Sequence, residues 1–295
     1  MSRVPSTYIP RVDIATHFAI STRTTVLLHP RRAAVPDPFA SKVGGRFAWP
    51  ENEEWPKCPQ DGEVFVPILQ LKKKDVPELI FPGEMDLFQL LWCGEDHEGE
   101  SADPLTHVFW RKADAIGPLL DEMPATSPDI YNTSHIPREC AVFPERVVEC
   151  DPAQPNTDSE LIDEWLRIHA TEDFEAIGLI ESYREDAYLS QFAAAPSTKI
   201  GGFPSYIQDM EEQDIPVCEC SSKMRYFLTV SSRDIGDGCS HYRWAPSDIE
   251  RDENHCPKHA AFYGTDLCLG DAGSVYVYIC QSCPSMPTAA ILQCS

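Results

Sequence analysis

Residues 41–50 read SKVGGRFAWP, and residues 198–208 read TKIGGFPSYIQ. Each opens with a hydroxyl residue, a lysine, an aliphatic residue and two glycines, so Lys42-Val43-Gly44-Gly45 matches Lys199-Ile200-Gly201-Gly202. The likeness continues outward. Trp55-Pro56-Lys57-Cys58 leads into FVPILQL, and Ile215-Pro216-Val217-Cys218 leads into MRYFLTV. Gly83-Glu84 precedes DLFQLLW and Cys93, as Gly270-Asp271 precedes SVYVYI and Cys280. Gly83 stands as far from Cys93 as Gly270 does from Cys280, whereas roughly 27 more residues separate Cys218 from Gly270 than Cys58 from Gly83. The pattern reads as a β-rich unit present twice, with extra chain looped into the second copy. It predicts that the two Gly-Gly segments occupy like elements.

The chain has 295 residues, enough for one large domain or two of ordinary size. The expected division is 1–150 for the first β-rich unit and 151–295 for acidic helices plus the second unit; one compact domain overall is the other possibility. Hydrophobic residues at 42% suffice for a core and exclude wholesale disorder. Twenty-six prolines against 15 glycines suit short strands and stiff loops better than long helices. The expected class is α+β, mainly antiparallel sheet. LTHVFW at 105–110 and CAVFPERVV at 140–148 alternate as strands do, and TVLLH makes another after an N-terminal helix near 11–24. Thr157-Asp158-Ser159-Glu160 forms a capping box ahead of a helix in which Leu161, Trp165 and Ile168 repeat at helical spacing, broadened by Ile162 and Leu166. A second helix is expected over 174–192, with Gly178 as its weak point.

Charge narrows the partners. Against 24 Lys and Arg stand 47 Asp and Glu, a formal net charge of -23. Such a chain repels phosphate backbones and anionic lipid, which argues against nucleic acid and membrane and favours a basic protein partner. Residues 151–190 alone carry eleven acidic and two basic side chains, read first as a solvated helical face. No stretch approaches the roughly 20 apolar residues that span a bilayer. The opening MSRVPSTYIPRVDIATHF lacks the apolar run of a secretory signal. Twelve cysteines without an export signal read as thiols or metal ligands, and a cytoplasmic location is expected. Oligomeric state has no signature in the sequence.

The cysteines carry the most specific chemistry. Cys280-Gln281-Ser282-Cys283 follows an apolar strand, and Cys218-Glu219-Cys220 precedes one. Two cysteine hooks at strand ends are the parts of a zinc ribbon, in which four thiolates surround a structural Zn²⁺ tetrahedrally. The C-x-C hook is a tighter chelate than C-x-x-C, so one of its thiols could yield to Cys239, His241, His255, Cys256, His259 or Cys268. The repeat places Cys58 where Cys218 stands and Cys93 where Cys280 stands. His97, with Asp61 or Asp96, would complete a degenerate first-copy site. Its alternative is a pair of small buried residues.

Catalytic signatures are absent: no H-E-x-x-H, G-x-S-x-G, P-loop or G-x-G-x-x-G. Glu84, Asp271, Lys42 and Lys199 recur in both copies. They define the alternative to a binding protein, a hydrolase or transferase with its site between the units. The glycines beside them favour turns and close backbone approach instead.

LLHPRR, SKVGG, WPENEEWPKC, DVPELIFPGEMDLFQLLWCGEDH, FPERVVEC, STKIGGFPSYIQ and CLGDAGSVYVYICQSC, in that order, resemble the YwqG-like family of uncharacterised proteins. The resemblance spans roughly residues 25 to 284. It implies a single α+β protein dominated by antiparallel sheet, with C-x-x-C in longer members where this chain has Cys218-Glu219-Cys220. No activity is attached to the family as a whole. Relatives beside toxin genes look like immunity proteins, which implies binding and not catalysis. The sequence therefore points to a non-enzymatic, immunity-like binding protein with a structural zinc at Cys218, Cys220, Cys280 and Cys283.

Overall fold

A computed structural model describes residues 12–32, 37–94, 103–126, 133–153, 159–172, 187–232, 243–248, 250 and 264–294. Among them, helix α1 (Ile14–His17) precedes β1 (Thr22–Leu27) and β2 (Lys42–Val43). Next come β3 (Val66–Lys72), β4 (Leu87–Trp92), β5 (Thr106–Arg111), β6 (Cys140–Ala141) and β7 (Glu145–Cys150). Helices α2 (Ser159–His169) and α3 (Ala187–Gln191) separate these from β8 (Lys199–Gly201), β9 (Arg225–Ser231), β10 (Ser274–Ile279) and β11 (Thr288–Gln293). The class is α+β and mainly antiparallel, as the sequence indicates.

Two sheets share the strands. One runs β5-β4-β3-β2-β6, the other β11-β10-β9-β8-β1-β7, and every neighbouring pair is antiparallel. Each therefore contains a four-strand meander, β2–β5 in the first sheet and β8–β11 in the second. The Gly-Gly segments occupy like places, each at the end of the short opening strand of its meander. The division at residue 150 does not follow the sheets, because β1 and β7 are hydrogen-bonded into the second one, β1 directly to β8.

Period-2 alternation explains the layering. In β4, Phe88, Leu90 and Trp92 enter the same buried cluster as Val275, Val277 and Ile279 of β10, so the sheets share one core. Phe88 and Phe227 meet across it with ring centroids 5.7 Å apart. The opposite faces are also covered. Leu91 and Cys93 join Phe47, Trp49, Trp55, Cys58 and Phe65 outside the first sheet. Tyr276, Tyr278 and Cys280 join Cys218 and Met224 outside the second. Because both faces are buried, β4 and β10 read as continuous apolar runs.

Several expectations are corrected in detail. The helix expected over 11–24 is only α1, because the Thr-rich segment from Thr22 serves as β1 between β7 and β8. In α2 the buried stripe is Ile162, Leu166 and the following Ala170, while Leu161 and Ile168 are exposed. That stripe packs on Ile14, Tyr188 and Phe192. The helix expected over 174–192 is seen only as α3; Gly178 and the capping-box residues Thr157 and Asp158 lie outside the described residues.

The paired glycines have a common physical reason. Gly201 and Gly202 take φ of 68° and 70°, turning the chain so that Phe203 meets the Lys199 side chain. Lys199 Nζ donates to the Phe203 carbonyl at 2.6 Å and to Glu149 Oε1 at 2.7 Å. Glu149 also accepts from the Ala195 and Phe203 amides, both at 2.8 Å. A Cβ on Gly202 would run into Glu149. In the first meander Lys42 Nζ donates to Glu139 at 3.3 Å, and a Cβ on Gly45 would run into Glu139. Lys-aliphatic-Gly-Gly is thus a device for burying a lysine against a distant carboxylate.

Candidate metal centre

The Cys218 hook is a tight turn. Val217 bridges Lys223, the Cys218 amide donates to the Ser222 carbonyl at 3.0 Å, and the Ser221 amide donates back to Cys218 at 2.7 Å. Ser221 adopts φ of 66°, in the left-handed region, which turns the chain immediately after Cys220. The second hook begins as β10 ends. The Cys280 amide donates to Pro287, and the Met286 amide donates to Cys283, both at 2.9 Å. Alternation along β10 places Cys280 on the same face as Tyr276 and Tyr278, toward the first hook.

The hooks bring four sulfurs together. Sγ of Cys218, Cys220, Cys280 and Cys283 all lie within 4.8 Å of one another. Cys218 and Cys283 are 3.8 Å apart, and Cys220 and Cys280 are 3.6 Å apart. Four Zn–S bonds of about 2.3 Å in a tetrahedron place sulfurs about 3.8 Å apart. The donor set therefore fits a tetrahedral thiophilic ion with little movement. The tight C-x-C spacing does not exclude either thiol.

The surroundings suit such an ion. Cys218 and Cys280 are buried, Cys283 half-buried and Cys220 exposed, so the cluster sits at the edge of an apolar layer. In that layer Tyr276 donates its hydroxyl to the Ser205 carbonyl, and the Tyr206 and Tyr278 hydroxyls hydrogen-bond each other. Hydrogen bonds from the Ser222 side chain and backbone, with help from Cys283 and Cys218, pull the Cys220 thiol down to about 6. Cys220, followed by Cys218 and Cys280, holds the Cys283 thiol up at about 12. Crowded thiols resist losing their protons together, and a bound dication removes that resistance.

A second group lies outside the first sheet. Cys58, Asp61 and Cys93 bring one donor atom each within 4.8 Å of the others. His97 and Asp96 lie outside the described residues, as do the substitute ligands Cys239, His241, His255, Cys256 and His259. Cys268 is exposed, and its thiol donates to the Gly270 carbonyl.

The four recurring polar residues are placed differently from one another. Lys42 and Lys199 are sealed in strands of different sheets, each on its own carboxylate. Desolvation pulls both ammonium groups below their ordinary range, opposed by Glu139 and Glu149 respectively. Glu84 and Asp271 stand exposed on turns, Glu84 beside Lys112 at 3.3 Å. A cavity of about 620 Å³, lined by Glu53, Met85, Trp110, Arg111, Lys112 and neighbours, contains none of the four. The carboxylates that matter to the lysines, Glu139 and Glu149, escape sequence reasoning because nothing local marks them.

Fold and site together define a two-sheet α+β protein with a four-thiolate candidate centre beside its second meander. A family of domains of unknown function, DUF1963, matches residues 41–282, and the chain belongs to that family. No curated protein matches the chain. Among the described residues, no helix is long and apolar enough to cross a membrane.

Proposed function

We propose that this chain is a non-enzymatic, immunity-like binding protein of the cytoplasm, with its second meander pinned by zinc at Cys218, Cys220, Cys280 and Cys283. The observation that carries the metal is the sulfur geometry, with edges of 3.8 and 3.6 Å. Four protein ligands leave no position for water, so this zinc is structural. The two meanders are copies of one unit, which accounts for their shared order and paired Lys-Gly-Gly segments. The YwqG-like resemblance supports a binding role, and the net charge of -23 favours a basic partner reached by electrostatic steering.

The test has two arms. Elemental analysis of protein purified without chelator should find zinc, and Cys283→Ser should remove one ion per chain. The zinc-loaded chain, immobilised and exposed to lysate of its own source cell, should then retain a basic protein that rising salt releases. A zinc count unchanged by Cys283→Ser overturns the metal assignment. Association that ignores salt, or no retained partner, overturns the electrostatic binding role.

A further inference from the structure

We propose that Cys58, Asp61 and Cys93 form a second metal centre, with two thiolates, one carboxylate and a fourth position open to a small exogenous ligand. Its place in the fold matches that of the four-thiolate cluster. Lys57 bridges Val64 as Val217 bridges Lys223. The Cys58 amide donates to Glu63 at 2.7 Å, as the Cys218 amide donates to Ser222. The Phe65 amide donates to Pro56 at 3.0 Å, and the Met224 amide to Pro216 at 2.9 Å. Cys93 follows β4 as Cys280 follows β10, and its amide is likewise bonded across the hairpin, to Leu105 at 2.9 Å.

The two hooks differ by one residue between their bridging positions, and that difference changes the donor set. In the longer first hook Gln60 holds the place of Cys220, and Asp61 is the residue whose carboxylate approaches the thiols. Asp61 Oδ1 accepts from the Glu63 amide at 2.8 Å, which fixes the carboxylate. Its Oδ2 lies 3.5 Å from Cys93 Sγ. Zn–S and Zn–O bonds of about 2.3 and 2.0 Å at a tetrahedral angle give an S···O edge of about 3.5 Å. The thiols are buried at 2% and 1% exposure among Trp49, Trp55 and Phe65, whereas Asp61 is exposed. Two soft donors inside and one hard donor outside suit a zinc-class dication better than magnesium or calcium. Among the described residues three protein donors reach this site, the number found in zinc sites that keep a position for an exchangeable ligand. This inference does not depend on the four-thiolate zinc.

The experiment uses the full chain, stripped with chelator and titrated with Co²⁺ and then Zn²⁺. Wild-type protein should take up two ions, with thiolate-to-cobalt absorption from both. Asp61→Asn keeps the turn's hydrogen-bond acceptor and should weaken one of the two ions by about 100-fold or more, the upper end of what losing even an outer-shell partner costs. In Cys283→Ser the remaining cobalt spectrum should belong to the first meander and shift when azide or imidazole is added. Two ions of unaltered affinity in Asp61→Asn overturn the site, as does a wild-type count of one that Cys283→Ser abolishes. A spectrum unmoved by azide and imidazole overturns the open position.

Discussion

Lys199 of the second meander and its partner Glu149 both have side-chain exposures of 0%; Lys42 of the first is at 1%, but its partner Glu139 keeps 39%. The cysteine hooks differ in the same direction, four sulfurs around the second and two sulfurs with a carboxylate around the first. The same local backbone thus supports two levels of commitment. Although β7 is the edge strand of the second sheet, its Glu149 is enclosed by Lys199, Ala195 and Phe203, whose side chain or amides all hydrogen-bond to it. Glu139 precedes the two-residue β6 at the edge of the first sheet and faces water. Both carboxylates belong to edge strands or their flanks, so enclosure, not residue type or edge position, sets how strongly each ion pair constrains the fold.

The largest effect that tests this comparison is metal removal. Chelation, or Cys280→Ser, should lower thermal and denaturant stability by about 5 kcal/mol or more, since structural zinc couples its binding energy to folding. Cys93→Ser, which removes one thiolate of the proposed three-donor centre and buries a hydroxyl in an aromatic layer, should cost less, about 1–3 kcal/mol. Equal losses would show that the two hooks are equally committed. Binding also releases thiol protons, so zinc should be lost as pH falls, with stability following it downward.

Second in size is Lys199→Met. It strands the Glu149 charge in the interior and should cost about 3–5 kcal/mol in urea unfolding. Lys42→Met leaves Glu139 to water and should cost about 1 kcal/mol. A reversed order would break the argument from enclosure.

The cysteine pairs and the strands β3, β4, β5, β9 and β10 were legible because each is local, as apolar or alternating runs and as cysteines one or two residues apart, whereas β11 was not. Glu139 and Glu149 were not. Each lies far from its lysine in a chain with 47 acidic residues, so neither stands out. The buried face of α2 was ambiguous for a different reason. Leu161, Ile162, Trp165, Leu166 and Ile168 cover too much of the helix for periodicity to choose, and contact with Tyr188 and Phe192 selects Ile162 and Leu166. Asp61 was visible as a possible ligand beside Cys93. That it and not Cys58's second neighbour takes the role depends on one extra residue in a turn, which only the folded hook reveals.

Third, Gly202→Ala should cost about 2–3 kcal/mol, combining left-handed backbone with a clash against Glu149, which has nowhere to move. The same change at Gly45 meets Glu139, whose exposed side chain is able to swing away, and should cost about 1 kcal/mol. Similar values for both would mean that Glu139 is held as firmly as Glu149.

The smallest expected effect concerns the recurring turn acid. Glu84 is 85% exposed and pairs with Lys112, itself 43% exposed, so Glu84→Ala should change stability by no more than about 0.5 kcal/mol. It should also leave partner capture unaltered, because a Gly-acid turn recurs for its backbone shape. Capture abolished by Glu84→Ala at unchanged stability would make the turn part of the binding surface. The likeness between Glu84 and Asp271 would then be functional, and the two meanders would differ less in role than their buried ion pairs imply.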